Sequence, residues 1–318
     1  MDGTCVSKSS PNNYFSRLVN GFFRKRDCWS IGIYIGNSPI DVFYPPKGIK
    51  NPVLSNHTTS DISARLLADP FMLKHNNMLF MFFEVLNNKS RVGEIAMATS
   101  EDGFRWSYNQ VVLAEPFHLS YPYVFQYQDR HFMIPESKSI GAIRLYTASE
   151  FPYKWSYTGT LLEGMSLEDS SIIYYFNKWF LFTCLRDELL LYFSEKLTGP
   201  YIPHPKSPII KDPNIYRQGG RILPFENMLI RYAQNNRKTY GESVTAYGIS
   251  KLTTTDYEER LLKEKILGPS GTGWNRDGMH HIDPVCVGKN LWIACVDGKR
   301  FERKRDTISY YIKRLLRF

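Results

Sequence analysis

The sequence predicts an all-β chain folded as a five-bladed β-propeller, with short basic amphipathic helices at its termini. Three observations lead there: a repeat of about fifty residues, several short hydrophobic strands within each period, and polar turns between the strands. The repeat opens at Asp69-Pro70-Phe71-Met72-Leu73, Tyr121-Pro122-Tyr123-Val124-Phe125, Asp169-Ser170-Ser171-Ile172-Ile173, Gly219-Gly220-Arg221-Ile222-Leu223 and Asp283-Pro284-Val285-Cys286-Val287. The start-to-start spacings are 52, 48, 50 and 64 residues.

The first predicted element, Trp29 to Tyr34, is an extra strand. Its natural place is against the last blade, where it closes the ring and removes two sheet edges. Each period then supplies an opening strand, a polar hairpin and a second strand. The second strands (Leu79 to Phe83, His131 to Ile134, Trp179 to Phe182, Leu291 to Ala294) are nearly continuous apolar runs, as expected of strands buried on both faces. The hairpins before them are rich in Asn, Asp and Gly, which tolerate positive φ. Outer strands carry a repeat of their own: Ser100-Glu101-Asp102-Gly103-Phe104-Arg105-Trp106 is echoed by Ser149-Glu150-Phe151-Pro152-Tyr153-Lys154-Trp155 and, more loosely, by Ser194 to Tyr201. A turn followed by an aromatic anchor pins each outer edge. The prediction is five four-stranded blades over residues 29–300, with basic extensions at 1–28 and 301–318.

Charge is concentrated in those extensions. Residues 1–26 hold five basic residues against one acid, and residues 299–318 hold eight against two, so the propeller body is close to neutral although the chain carries +9. Tyr14, Phe15, Leu18, Val19, Phe22 and Phe23, and likewise Ile308, Tyr311, Ile312, Leu315 and Leu316, fall at helical spacing beside Arg and Lys. Two readings stay open: the helices pack on the propeller with their charges in water, or they rest on an anionic membrane surface. Nucleic acid is not an expected partner, because the body lacks a basic stripe interleaved with aromatics. The five cysteines show no paired spacing, no apolar run is long enough to span a membrane, and no secretory signal opens the sequence. A cytoplasmic protein, or one peripheral to the inner face of a membrane, is expected.

Innermost propeller strands line a central funnel, so blade-opening residues converge there. The first candidates are Asp69, Asp169 and Asp283, with Tyr121 and Gln218 in equivalent places. Glu84 and Glu136 each end a second strand. Carboxylates gathered around a funnel push one another's pKa values apart, which is the arrangement glycosyl transfer uses for acid and base roles. Any single Asp-Pro or Asp-Ser also reads as an Asx turn starting a strand; recurrence in three blades favours the site. Blades four and five add Arg221, Arg231, Gln234, Tyr240 and the pair His280-His281. Arginines at strand ends suit phosphate or carboxylate clamps. Adjacent histidines in a regular strand point to opposite faces and cannot share one ion, so no metal is expected and one of them faces the funnel.

At Ala68-Asp69-Pro70-Phe71, Tyr121 to Phe125, Ile134-Pro135-Glu136-Ser137, Asp169-Ser170-Ser171-Ile172, Gly220-Arg221, Arg231-Tyr232-Ala233-Gln234, Tyr240-Gly241 and His281-Ile282-Asp283 the chain resembles the N-terminal domain of plant glucosamine inositolphosphorylceramide transferase and its stand-alone bacterial relatives. That domain is similar to the five-bladed propellers of glycoside hydrolase families 32, 43 and 62. The plant enzyme's separate C-terminal glycosyltransferase domain has no counterpart in these 318 residues, so its activity does not follow from the resemblance. Likeness to family 43 implies Asp69 as general base. That family opens its second blade with Asp and its third with Glu, where this chain has Tyr121 and Asp169, which leaves Glu136 to stand in as general acid.

The expected catalytic residues are therefore Asp69, Glu136 and Asp169, and the expected substrate-binding residues are Glu84, Tyr121, Arg221, Arg231, Gln234, Tyr240, His281 and Asp283. The leading function is an intracellular glycosyltransferase or transglycosidase acting on a nucleotide-sugar or lipid-linked saccharide. A glycoside hydrolase with a rearranged acid and base, and a non-catalytic sugar-binding propeller, are the alternatives. No cofactor is expected. In the absence of a Rossmann or phosphate-loop pattern, a nucleotide donor would be held by arginines.

Overall fold

A computed structural model describes the backbone of residues 23–305 and the side chains of residues 26–302. Residues Trp29–Arg300 form one compact unit built from five antiparallel sheets. An N-terminal strand β1 (Phe23–Gly36) comes first. Blade one follows with β2 (Ala64–His75), β3 (Met78–Asn87), β4 (Gly93–Ser100) and β5 (Ser107–Leu113), and blade two with β6 (Ser120–Tyr127), β7 (Arg130–Glu136), β8 (Ala142–Glu150) and β9 (Lys154–Glu163). Blade three holds β10 (Glu168–Tyr175), β11 (Lys178–Leu185), β12 (Glu188–Ser194) and β13 (Ile202–Pro203). Blade four holds β14 (Leu223–Phe225), β15 (Met228–Asn235), β16 (Ser243–Leu252) and β17 (Tyr257–Leu267), and blade five β18 (Ile282–Gly288) and β19 (Leu291–Arg305).

In each of the first four blades the strands lie in sequence order, while the fifth sheet has the order β1-β19-β18. The N-terminal strand thus becomes the outer strand of the last blade, and the ring closes as its pattern predicts. The last blade has three strands rather than four. After β1 the chain carries Pro39, Pro45, Pro46 and Pro52, which cannot donate to a ladder, and its backbone meets β1 at isolated bridges, Ile35–Tyr44 and Ile31–Leu54, while the Asn51 side chain bonds the N–H and C=O of Ile33 at 2.9 Å.

The helix expected at the N-terminus, Tyr14 to Arg26, is corrected where it can be seen: Phe23–Arg26 lies in β1, where sheet pairing satisfies the backbone that a helix would otherwise satisfy internally. The rest of it, including Tyr14 and Phe22, and the whole of the helix expected from Ile308 to Phe318 lie outside the described residues.

Packing follows the repeat. One hydrophobic cluster joins blades one, two and three through residues such as Phe82, Tyr123, Trp155 and Trp179. Others fill the gaps between blades three and four (Phe182, Leu229), four and five (Tyr232, Val296), and five and one (Ile33, Phe83). Fully burying one such large side chain contributes about 1.5–3 kcal/mol. The outer turns are pinned by the repeated aromatics, whose polar atoms reach back to their own turns. Trp106 Nε1 donates to Gly103 O, Trp155 Nε1 to Pro152 O and Tyr201 OH to Leu197 O, each at 3.0 Å.

Candidate active site

The three opening strands share one device. β2 shifts register between Ala68 and Phe71, β6 between Ser120 and Tyr123, and β10 between Glu168 and Ser171. At each shift the blade-opening residue is left-handed, with φ of 52° at Asp69, 44° at Tyr121 and 42° at Asp169. Such bulges re-aim a side chain at the cost of about 1–3 kcal/mol of backbone strain for a non-glycine residue. In blade four Gly220 has φ 151°, and any Cβ there would stand 1.9 Å from Ile282 O, so only glycine fits.

Two buried groups of side chains result. In the first, Asp297 is the hub. Its Oδ1 accepts the backbone N–H of both His280 and His281 at 3.1 Å, and its Oδ2 accepts the N–H of Asp69 at 3.2 Å and lies 2.7 Å from His280 Nδ1. His280 stacks on Trp29 with ring centroids 4.0 Å apart, and its Nε2 is 3.9 Å from Asp69 Oδ1. His281 Nδ1 stands at the same 3.9 Å from that oxygen, between Phe71 and Tyr121. In the second group Arg217 is the hub: Nε donates to Asp169 Oδ2, Nη1 lies 3.6 Å from Glu168 Oε2 and Nη2 4.0 Å from Glu136 Oε2. The Asp169 N–H donates to Glu136 Oε2 at 3.1 Å, and Gln234 Nε2 to Asp169 Oδ2 at 3.2 Å. Tyr240, 44% exposed, stands between the groups, edge-on to His280 and under the Arg217 guanidinium.

Electrostatics separate these acids. Burial, reinforced by Asp169 and Asp297 and opposed by His280, pushes Asp69 up to about 7. Burial and the surrounding carboxylates push Glu84 well up. Burial and Asp169 do the same to Glu136, against the pull of Arg217. Asp297 also feels burial, yet its contacts with His280 hold it below the usual carboxylate range. His280 is raised by Asp297 and Asp69 against the effect of burial, whereas burial lowers His281 to about 4 and keeps it neutral. The set therefore contains acids that hold a proton near neutrality, a histidine shifted towards its charged form, and a carboxylate held in the charged form.

Asp69, His280 and Asp297 bring ligand atoms within 4.8 Å of one another and could hold a divalent cation. His280, shifted towards its charged form, already supplies positive charge there. The strand argument against paired histidines does not apply, since both residues precede β18 in an irregular segment and both approach Asp69.

Of the residues singled out from sequence, Asp69, Glu84, Glu136, Asp169, Gln234, Tyr240 and His281 lie in or beside these groups. Four others have their polar atoms engaged elsewhere, although the Tyr121 ring packs on His281. Arg221 donates to both Asp283 oxygens at 2.8 and 3.1 Å and to the carbonyls of Val124 and Met72, while Asp283 Oδ2 accepts Met72 N at 2.7 Å. Tyr121 OH bonds Gly220 O at 2.9 Å and lies 3.2 Å from Ser171 Oγ. These three tie inner strands together, and their polar atoms are already used. Arg231, fully buried, gives two 2.7 Å bonds to Glu259 on β17, at the outer edge of blade four, and is remote from the funnel.

Sequence reasoning missed Arg217 and understated His280 and Asp297. Asp297 had a signal: it is the seventh residue of a second strand, as Glu84, Glu136 and Gln234 are in their blades. Arg217 directly precedes the blade-four opening, but nothing local marks it.

A sequence model of the family described as glucosamine inositolphosphorylceramide transferase 1, N-terminal, matches residues 24–299. The chain belongs to this family. Members similar to it include glucosamine inositolphosphorylceramide transferase 1 of Oryza sativa subsp. japonica, 33% identical over 90% of this chain and 42% of the rice protein, and that of Arabidopsis thaliana, 30% identical over 86% of this chain and 39% of the relative. The chain thus spans less than half the length of these curated relatives. Among solved structures, a glycosyl hydrolase from Bacteroides ovatus shares the fold with a TM-score of 0.58 at 12% identity, over 79% of this chain and 92% of the other. The chain's own architecture is a five-bladed propeller, and the two buried groups described above sit at its blade openings.

Proposed function

We propose that this propeller is a carbohydrate-active enzyme of glycan or glycolipid assembly, transferring a glycosyl group from a nucleotide-sugar or lipid-linked donor. The observation that carries the reading is the pair of linked groups around Asp69 and Asp169, which puts carboxyls of opposed protonation behaviour into one funnel. Glu136, kept protonated by burial and Asp169, is suited to give its proton to the leaving oxygen as the donor's glycosidic C–O bond breaks. Asp69, poised near neutrality, is suited to take the proton of the incoming hydroxyl as the new C–O bond forms. Asp169, clamped by Arg217 and Gln234, offers a fixed negative charge beside the sugar. The plant relatives are named as transferases, which fits a role in transfer for the two fifths of them that this chain matches.

A second reading, hydrolysis, is favoured by one observation: the same Glu136 and Asp69 would serve equally with water as acceptor. Incubating the protein with a panel of nucleotide-sugars and oligosaccharides, with mass spectrometry of the products, separates the two. New glycosides support transfer, free reducing sugar supports hydrolysis, and saccharide binding without any product leaves a binding propeller.

A further inference from the structure

A cleft of about 630 Å³ opens between blades two and three, lined by Lys138, Ser166, Glu168, Arg186, Asp187 and Tyr216 among others. None of these six was singled out from sequence. Three pairs of near neighbours in the chain straddle the cleft and the funnel. Glu136 belongs to the funnel and Lys138, two residues on, to the cleft; Asp169 and Glu168 divide in the same way, as do Arg217 and Tyr216. The members of each pair are one or two residues apart, so the boundary between cleft and funnel runs along these three segments of chain. A line of charge crosses it: Lys138 pairs with Glu168 Oε1, and Glu168 Oε2 lies 3.6 Å from Arg217, which touches Asp169.

The lining balances two cations (Lys138, Arg186) against two carboxylates (Glu168, Asp187), adds a hydroxyl at Ser166 and one aromatic edge at Tyr216, and includes the apolar Met165 and Leu185. Arg186 and Asp187 form the β11–β12 hairpin tip with φ of 48° and 66°, the left-handed pair of a tight two-residue turn, which fixes their place at the rim. Charged groups of both signs without net charge, beside apolar side chains, suit a ring with hydroxyls at its edge and C–H groups on its faces better than an anion, and the volume falls within the usual range for small-ligand sites. We propose that this cleft binds an uncharged pyranose ring, the second sugar unit of the substrate, next to the Glu136 and Asp169 side of the funnel. The proposal rests on the carbohydrate reading above.

The test is calorimetric titration of the full chain with methyl glucoside, methyl mannoside, methyl galactoside and N-acetylglucosamine as probes. Wild type is compared with Ser166→Trp, Asp187→Gly and Asp69→Asn. Ser166 and Asp187 are exposed and glycine suits the left-handed φ at 187, so both cleft variants should melt as wild type does, and Asp187→Gly serves if the tryptophan variant does not fold. At least one probe should bind wild type, weaken about tenfold or more in the two cleft variants, and keep its affinity within about twofold in Asp69→Asn. Binding that survives both cleft variants and is lost in Asp69→Asn would put the sugar in the funnel and overturn the cleft. Absence of binding by all four probes would also overturn it. Product formation by wild type in the mass-spectrometric assay judges the funnel reading separately in either case.

Discussion

The carboxylate of Asp297 accepts the backbone N–H of Asp69 at 3.2 Å, joining residues 228 apart in sequence across the closure of the ring. The same carboxylate carries His280, so one buried side chain fixes both the left-handed bulge of blade one and the imidazole beside it. Removing its charge should therefore act on stability as well as on the site. Asp297→Asn is expected to lower unfolding free energy by about 3–5 kcal/mol, the usual loss when one partner of a buried ion pair is removed. Urea unfolding reads this directly, and a loss below about 1 kcal/mol would show that Asp297 does not hold the site together.

Asp69 gives a pH signature with an unusual sign. Its folded pKa, about 7, is above the ordinary Asp value, so the folded state holds the proton longer and its contribution to stability falls as pH rises from about 4 to 7. His280, raised, adds stability below its unfolded pKa that is lost as pH rises through the folded value; Asp297, lowered, adds stability that is lost only on acidification. Melting curves between pH 4.5 and 7.5 should show Asp69→Asn gaining on wild type as pH rises, by more than about 1 kcal/mol over the interval. Parallel curves for the two proteins would mean that Asp69 titrates normally.

Arg217 bridges three carboxylates with a planar fork that Lys cannot reproduce. Arg217→Lys should lower kcat/KM by about 10–100-fold, the equivalent of one or two lost charge-assisted bonds. Steady-state kinetics on any substrate found to turn over checks this, and unchanged kcat/KM would remove Arg217 from the site.

Arg231 serves as the converse test. Arg231→Ala alone should destabilise by about 3–5 kcal/mol by stranding Glu259, whereas replacing both with Met and Leu should cost little, and the double variant should keep full activity per folded molecule. Loss of activity in a stable double variant would bring Arg231 back to the substrate.

The repeat made the blades legible because second strands buried on both faces must stay apolar along most of their length, and blade-opening acids recur in the same place. Asp69, Asp169 and Glu136 were readable for that reason. Arg221, Asp283 and Tyr121 occupy equivalent positions in the pattern, but residues near the axis either face the funnel or bond to one another. That choice depends on side-chain reach across three blades, which no local window carries. Arg217 was invisible because its three partners come from two other blades, and His280 was passed over for His281 because both were assigned to a regular strand that starts only at Ile282.

The most direct measurement is product formation by wild type and Asp69→Asn under identical conditions at neutral pH, with matched melting temperatures. Asn keeps the shape of Asp69 and its hydrogen-bonding capacity while removing the proton acceptor. The account predicts a glycosylated product from wild type and at least a hundredfold less from the variant, the upper part of the range of about 10²–10⁴ contributed by a general base being open to it as well. Equal product from a folded Asp69→Asn protein would contradict it.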